Sequence, residues 1–445
     1  MRYHPHTEED VRLALETIGV SSMRELFEDL PQELRDPEVD LPPGMDEATL
    51  LDHIRELADK NSTRGPDFLG GGVRRHFIPS VTPHLALQSE FVTAYTPYQP
   101  EVSQGILQAT FEYQTVMCEL TGLDVSNASM YDGATATAEA ALLAVRQTGR
   151  DRVVVSRGVH PETRAVLRTY LSPLGVTLDT VDLDPVTTPK LTLEDDVAGV
   201  VVQQPNFLGY IEEMRSLTQS AHDAGALMIA VVDPLSLALL APPGAYGADV
   251  AVGDGQTLGN PASFGGPSFG FMVVRSELLR QFPGRIVGET TDVDGKRAFV
   301  LTLQAREQHI RRSRAKSNIC TNHQLAALMA TVNVGALGPQ GLRDLAAGSV
   351  ERAHALAARL EAAGMAPATG SRFFSEFVLP VPVDPQRVRS ELAGRGIHAG
   401  VPVPPDYGLG DAVLLSATER VSDADIETLV EALQQIGAAR EVAHG

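Results

Sequence analysis

The sequence predicts an α/β protein built on a mostly parallel sheet, with a thin helical arm before it and a small α+β domain after it. Three observations lead there. Between Phe68 and about Cys320, short apolar β-rich runs alternate with amphipathic helical windows, the pattern of strands covered on both faces. After Gly338-Pro339 the order changes to helix, strand, helix, strand, helix. The first 65 residues hold helix starts separated by Pro-rich connectors, too little apolar material to bury a core unaided. The implied divisions are 1–65 for the arm, 66–338 for the large domain and 339–445 for the small one.

In the arm, Thr7 with Asp10 marks a helix start, followed by Val11, Ala14, Leu15 and Ile18 at helical spacing. Ser22 with Glu25 predicts a shorter helix through Leu30, and Asp46 precedes a third with Leu51, Ile54 and Leu57; Pro31–Pro43 joins them. In the large domain the strands are Asp151–Ser156, Thr177–Asp182, Gly199–Gln203, Leu227–Asp233, Asp249–Val252 and Phe269–Val274. Helices Ala134–Gln147, Glu162–Leu174 and Glu212–Ala224 fall between several of them. An apolar helix, Ala326–Leu337, ends this part. The small domain reads as helix Leu342–Ala363, strand Phe373–Leu379, helix Pro385–Gly394, strand Ala412–Ser416 and helix Ser422–Ile436, capped by Ser422 and Asp425.

Composition narrows the function. A formal charge of −21 argues against nucleic acid, whose phosphates need clustered Lys and Arg. Two cysteines, Cys118 and Cys320, outside any CxxC, fit a reducing compartment and no metal site. The N-terminus lacks the apolar core of a signal peptide. The longest apolar run, Ala226–Val232, is far short of the ~20 residues a membrane span needs. The expectation is a cytoplasmic protein without nucleic-acid or membrane partners.

The chain is organised around Gly247–Val274, two strands joined by a Gly/Pro/Ser loop. Glycine there lets backbone approach a ligand closely. Enzymes that hold pyridoxal phosphate on such a turn use a lysine amine to bind it. Here the residue is Gln256, and none of the four lysines, Lys60, Lys190, Lys296 and Lys316, lies in the segment.

Four further features can carry chemistry, each with an ordinary structural alternative. Gly133-Ala134-Thr135 opens an Ala-rich helix whose first N–H groups can cradle a phosphate, or simply turn the chain. Asp233, at a strand's carboxyl end, can pair with a pyridinium nitrogen or cap a turn. His160 can stack on a planar ring or serve the start of the next helix. The loop within Phe91–Thr115 gathers Tyr95, Tyr98, Glu101, Ser103 and Gln104, as a site loop or a satisfied structural one. Phe68–Pro79, FLGGGVRRHFIP, adds a Gly-rich turn and His76 without the rest of a dinucleotide fingerprint. Arg306–Lys316 is a basic run that reads first as a solvated face.

Five stretches together resemble a known family: TAYTPYQPEVSQGILQATFEYQT (93–115), SMYDGATATAEAAL (129–142), VVQQPNFLGYIEE (201–213), VGDGQTLGNPASFGGPSFG (252–270) and REQHIRRSRAKSNICTN (306–322). The resemblance is to the subunit 1 family of the two-subunit glycine dehydrogenase (decarboxylating), the P-protein of the glycine cleavage system, over essentially the full length. Departures fall at Val73-Arg74, where a small residue and a tyrosine are usual, and at Arg314 and Lys316.

The resemblance implies a fold-type I pyridoxal-phosphate architecture, like aspartate aminotransferase, with the cofactor held by subunit 2. It makes Gly133, Ala134, Thr135, His160, Asp233 and Gln256 the remains of a cofactor site, with Gln256 at the lysine's place. It implies a heterotetramer of two copies of each subunit, acting on glycine and a lipoylated H-protein. The Tyr95–Gln104 loop becomes the candidate this chain lends to its partner's site. The alternative implied role is a structural and docking subunit with no residue in that site.

Overall fold

The computed structural model describes residues 5–35, 37, 40–61 and 65–444, with side chains to 438. It separates into two compact units, Met1–Thr63 and Arg64–Gly445. In the first, α1 (Glu8–Ile18) opens on a reciprocal cap: the Asp10 N–H donates to Thr7 Oγ1 at 3.2 Å, and the Thr7 N–H to the Asp10 carboxylate at 2.7 Å. Helix α2 (Glu47–Ala58) is capped by Asp46, which accepts from the Thr49 N–H. The helix expected from Ser22 to Leu30 is only a 3₁₀ turn over Met23–Phe27. The Ser21 and Ser22 hydroxyls both turn to the Glu25 carboxylate, so no serine caps the turn. Parts of the Pro31–Pro43 connector lie outside the described residues.

The second unit begins with short helices α3 (Val81–Ala86) and α4 (Ser89–Val92), then α5 (Gln104–Thr121) and β1 (Val125–Ser126). Next come α6 (Gly133–Thr148), β2 (Arg152–Ser156), α7 (Pro161–Leu171), β3 (Thr177–Val181), β4 (Val197–Gln204), α8 (Met214–Asp223), β5 (Leu227–Val232), β6 (Val250–Asp254) and β7 (Gly270–Val274). The seven strands form one sheet in the order β1-β7-β6-β5-β4-β2-β3. Strands β2 to β6 run parallel, while β7 pairs antiparallel with β6, and β1 with β7. All six strands expected from the sequence are present. Their apolar side chains alternate between two cores. Val200, Val202, Met228 and Ala230 meet residues of α5, α8 and the later helix Gln324–Ala362 on one face. Val201, Ile229, Val231 and Val252 meet α6 and α7 on the other. The alanines of α6 bring that helix close: a Cβ added at Gly199 would stand 2.9 Å from Ala144 Cβ.

After β7, β8 (Ile286–Thr291) and β9 (Arg297–Thr302) make a separate antiparallel ribbon. The sequence reading missed it, although Asp294-Gly295 between two β-rich runs is a hairpin signal. Helix α9 (Gln308–Arg311) is a single turn, and α10 (Gln324–Ala362) joins the two helices read as Ala326–Leu337 and Leu342–Ala363. Gly338, at φ 62°, and Pro339 kink it between them. By length and composition α10 is apolar enough to cross a membrane. Its first half packs on α3 and α5, and its second half pairs with α12 through Arg352–Asp423 and Arg359–Glu427.

The chain closes with β10 (Glu376–Pro380), α11 (Pro385–Gly394), β11 (Val401–Pro402), β12 (Ala412–Ser416) and α12 (Asp423–His444). Strand β12 lies between β10 and β11, antiparallel to both. This sheet buries Phe377, Val378 and Leu414 with Leu429 and Leu433 of α12 in a third core.

Candidate functional site

Parallel strands end together, so β2, β4, β5 and β6 present their carboxyl ends along one edge. The strand order reverses between β2 and β4, the place where such sheets bind ligands. Asp233 follows β5 and Asp254 ends β6, with Gln256 two residues on; His160 opens α7 after β2. Against this edge lies the backbone of Phe68–Phe77.

That segment is fastened to the C-terminal sheet at several points. The Phe68 N–H donates to His398 O at 2.7 Å, the Ser416 N–H to Phe68 O at 3.0 Å, and Thr418 Oγ1 to Arg75 O at 2.7 Å. His76 Nδ1 lies 2.9 Å from Glu419 Oε2, and the Phe77 N–H donates to Oε1 at 2.6 Å. Burial pushes the Glu419 carboxyl up, but His76 and the Phe77 N–H outweigh it and hold it below the usual range.

The segment turns the Arg74 side chain inward. Nη1 donates to Asp233 Oδ2 at 2.7 Å and Nη2 to Glu376 Oε2 at 2.8 Å, with the arginine side chain 10% exposed. Burial alone would lower the guanidinium pKa; the charges of Glu376 and Asp233 more than offset it, and the value rises. Asp233 also accepts from Thr257 Oγ1 at 2.7 Å, and Glu376 from the Gly71 N–H at 2.7 Å. Two carboxylates therefore share one cation in a dry place.

Gln256, buried, clasps the same residue by its backbone. Its Oε1 accepts from the Arg74 N–H at 3.1 Å, and its Nε2 donates to Arg74 O and Asn260 O, both at 2.9 Å. His160 does not face an open ring site. Its Nε2 meets Gly71 O at 2.8 Å, its Nδ1 accepts from the Glu162 N–H at 3.2 Å, and its ring stands edge-on to Phe207. At the start of α6, the Thr135 N–H donates to Asp132 Oδ1 at 2.7 Å, and Gly133 packs against Asp254, where an added Cβ would stand 2.8 Å from Asp254 N. Burial raises the pKa of Asp254, partly countered by its hydrogen bonds.

The structure thus brings Gly133, Ala134, Thr135, His160, Asp233 and Gln256 to one edge, and adds Arg74 and Glu376, which the sequence reading missed. A glutamate at the head of the otherwise apolar run Glu376–Leu379 was the available signal, since buried carboxylates are paired. Glu376 is placed by Gly209 as well. A Cβ at Gly209, whose φ is +90°, would stand 2.0 Å from Glu376 O. Gly209→Ala is expected to destabilise the chain by about 2–3 kcal/mol, measured by denaturant unfolding.

The Tyr95–Gln104 loop makes its hydrogen bonds with other parts of the unit. Tyr95 is 78% exposed, and Glu101 is exposed. Tyr98 OH accepts from Arg285 Nη2 at 3.1 Å, and Arg285 also reaches Cys320 O, so this loop and the segment after the basic run meet at one arginine. Gln104 is engaged within the chain: it donates to Pro100 O and Phe299 O and accepts from the Phe299 N–H. Gln114 does the same for Val287 on the other strand of the ribbon, at 3.0 and 2.9 Å. Gln104 is thereby a fastening between α5 and β9.

The basic run forms one wall of an open cavity of about 600 Å³, lined by Arg312, Lys316, Ser317, Tyr170 and Leu142, with Glu139 beside them. Glu139 Oε1 accepts from Ser317 Oγ at 3.0 Å, and the residue is 2% exposed. Burial raises its pKa, countered in part by Ser317 and Arg146. A raised carboxyl pKa means the folded chain holds its proton to higher pH than the unfolded chain, so the buried charge destabilises above that range and not below it. Glu139→Gln is expected to stabilise by about 1 kcal/mol at neutral pH, the gain vanishing as pH falls through the ordinary glutamate range. Melting temperatures across pH read this directly. Among the described residues no cluster of side chains is suited to hold a metal ion.

Known proteins resemble this chain along nearly its whole length. The family model for the glycine cleavage system P-protein matches residues 1–433. The probable glycine dehydrogenase (decarboxylating) subunit 1 of Moorella thermoacetica is 51% identical over 443 residues, covering 98% of this chain and 100% of that one. The Thermotoga maritima protein of the same description is 49% identical over 439 residues, covering 97% and 99%. The crystal structure of an inhibitor-bound glycine decarboxylase (P-protein) of the glycine cleavage system superposes with a TM-score of 0.93 at 55% identity, over 98% of this chain and 100% of that one. More distant likeness is of fold alone: mouse CSAD in apo form matches at TM-score 0.67 and 14% identity, over 94% and 92%. The architecture is the fold-type I pyridoxal-phosphate one, and the chain belongs to the glycine dehydrogenase (decarboxylating) subunit 1 family of glycine cleavage system P-proteins.

Proposed function

We propose that this chain is the lysine-free subunit of a two-subunit glycine dehydrogenase. With subunit 2 it decarboxylates glycine and passes the aminomethyl group to the lipoyl arm of H-protein, as a cytoplasmic heterotetramer of two copies of each subunit. The pyridoxal phosphate, the electron sink that such a decarboxylation needs, belongs to subunit 2. The observation that carries this reading is Gln256: the turn after β6 holds an amide with both ends engaged, and an amide cannot form a Schiff base. The residues of this edge do not fit the cofactor, and no chemical step is assigned to them.

What this chain contributes, on this reading, is the Tyr95–Ser103 loop, set against the partner's site. Several apolar side chains before and within it are exposed, among them Phe77, Val81, Leu87, Val92 and Val102, and exposed apolar groups in such number mark a protein interface. Phe264, 89% exposed, sits in left-handed backbone at the tip of the loop between β6 and β7. Tyr95, Glu101 and Ser103 would position the substrate, Glu101 toward its amine. A docking role without any residue in the site is favoured for Tyr98 and Gln104, whose polar groups are already engaged.

The test is reconstitution. Exchange of bicarbonate into glycine, with lipoylated H-protein present, is expected from the mixture of this chain with subunit 2. Neither alone should show it. Full exchange by either one alone would end the two-subunit reading.

A further inference from the structure

We propose that Gly70–Phe77 is a built-in plug of the ancestral cofactor cavity, with the Arg74 guanidinium standing where a pyridinium nitrogen would meet Asp233. The chain then rejects pyridoxal phosphate even when a lysine is restored at 256. The proposal rests on the reading that the cofactor belongs to the partner, and extends it from a missing amine to a filled site.

Each part of the cofactor meets an obstacle made of this chain. A pyridinium offers an aspartate one N–H and a delocalised positive charge on a flat ring. Arg74 offers Asp233 the same at 2.7 Å, and gives a second N–H to Glu376 at 2.8 Å. A ring entering this place must take the cation from both carboxylates, and it has nothing to return to Glu376, which is 4% exposed. The face a ring would lie against is closed too, because the His160 imidazole is bonded to Gly71 O, and Gly72 backs onto it. At the phosphate end, Asp132 already holds the Thr135 N–H of the first turn of α6, and Asp254 lies against Gly133, where an added Cβ would stand 3.2 Å from Asp254 Cβ. A phosphate dianion would meet two carboxylates there.

The plug is also held rather than laid in place. Gln256 grips Arg74 on both its N–H and its carbonyl. On the other side Phe68, Arg75, His76 and Phe77 are bonded to residues of the C-terminal layer. The segment therefore ties the central sheet to that layer, across the cleft where a fold-type I enzyme would admit its cofactor. The side chain at the lysine position serves the plug.

Two measurements on the full-length chain decide the matter. Wild type is titrated with pyridoxamine phosphate, which has no aldehyde to react with surface lysines. No binding is expected, and one-to-one binding at micromolar concentration overturns the plug. Gln256→Lys and Arg74→Ala/Gln256→Lys are then incubated with pyridoxal phosphate, reduced with borohydride and mapped by peptide mass. A lysine amine condenses with the aldehyde, releasing water, and hydride from borohydride fixes the imine as a secondary amine. Gln256→Lys alone is expected to stay unmodified at 256. The double variant should carry the adduct there and bind about a hundredfold more tightly.

An adduct in the single variant, or a folded double variant without one, overturns the proposal. If the double variant fails to fold, adding Glu376→Gln leaves only the carboxylate a pyridinium can satisfy, and the wild-type titration decides independently. Binding by wild type while exchange still requires subunit 2 would sink the plug alone. Exchange by the isolated chain would sink the two-subunit reading.

Discussion

Arg74→Met is expected to destabilise the chain by about 3–5 kcal/mol, read from denaturant unfolding at neutral pH. Methionine keeps the apolar stem of the side chain and deletes the guanidinium. What remains is Asp233 with Thr257 and Glu376 with the Gly71 N–H, two carboxylates facing a site with no cation. The size of the effect is the penalty of leaving two buried carboxylates without their cation, a figure that already includes the two lost charged hydrogen bonds. Adding Glu376→Gln to Arg74→Met should therefore recover part of the loss, and the two substitutions should depart from additivity. A loss below about 1 kcal/mol, the scale of an exposed pair, would mean that water reaches the carboxylates and the triad is not a closed unit.

The second large effect belongs to the loop. In the enzyme assembled with subunit 2, Tyr95→Phe and Glu101→Gln are each expected to lower the exchange rate about 10- to 100-fold, with assembly unchanged by size-exclusion chromatography. Both substitutions keep size and remove one polar function. Both residues are exposed in this chain, so their loss should leave its own stability unaltered within about 0.5 kcal/mol. Gln104→Leu behaves oppositely: it breaks the clasp on Phe299 and should lower stability. Wild-type rates from Tyr95→Phe and Glu101→Gln together would leave the docking role as the account of this loop.

The parts of this architecture that rest on local pattern were visible in the sequence. Strands such as Leu227–Val232 are continuous apolar runs between turn residues, and their burial on both faces follows from that. The cap at Thr7 and the end of α11 at Gly394 are equally local. The ribbon β8–β9 was missed because its strands mix charged and apolar residues, exposed at one end and covered by α5 at the other. The site was legible only as a set of places. Asp233, His160 and Gln256 could be put at strand ends from the sequence, but what they hold is Gly71 for His160 and, for the other two, Arg74, 159 residues from Asp233 and 302 from Glu376. No periodicity reports such pairings. Gly70–Gly72 read only as a Gly-rich turn without a dinucleotide fingerprint; in the fold its backbone meets the Glu376 carboxylate and the His160 imidazole.

The two glutamine fastenings on α5 have a mechanical outcome. Gln104 and Gln114 stand ten residues apart on one helix and fix opposite strands of the ribbon, so helix and ribbon form one arm footed in the central core through Tyr113 and Met117. Tyr95 and Glu101 hang from the amino end of that arm, with Gln104 as its first residue. Footed in this way, the arm holds those two exposed side chains out from a fixed base.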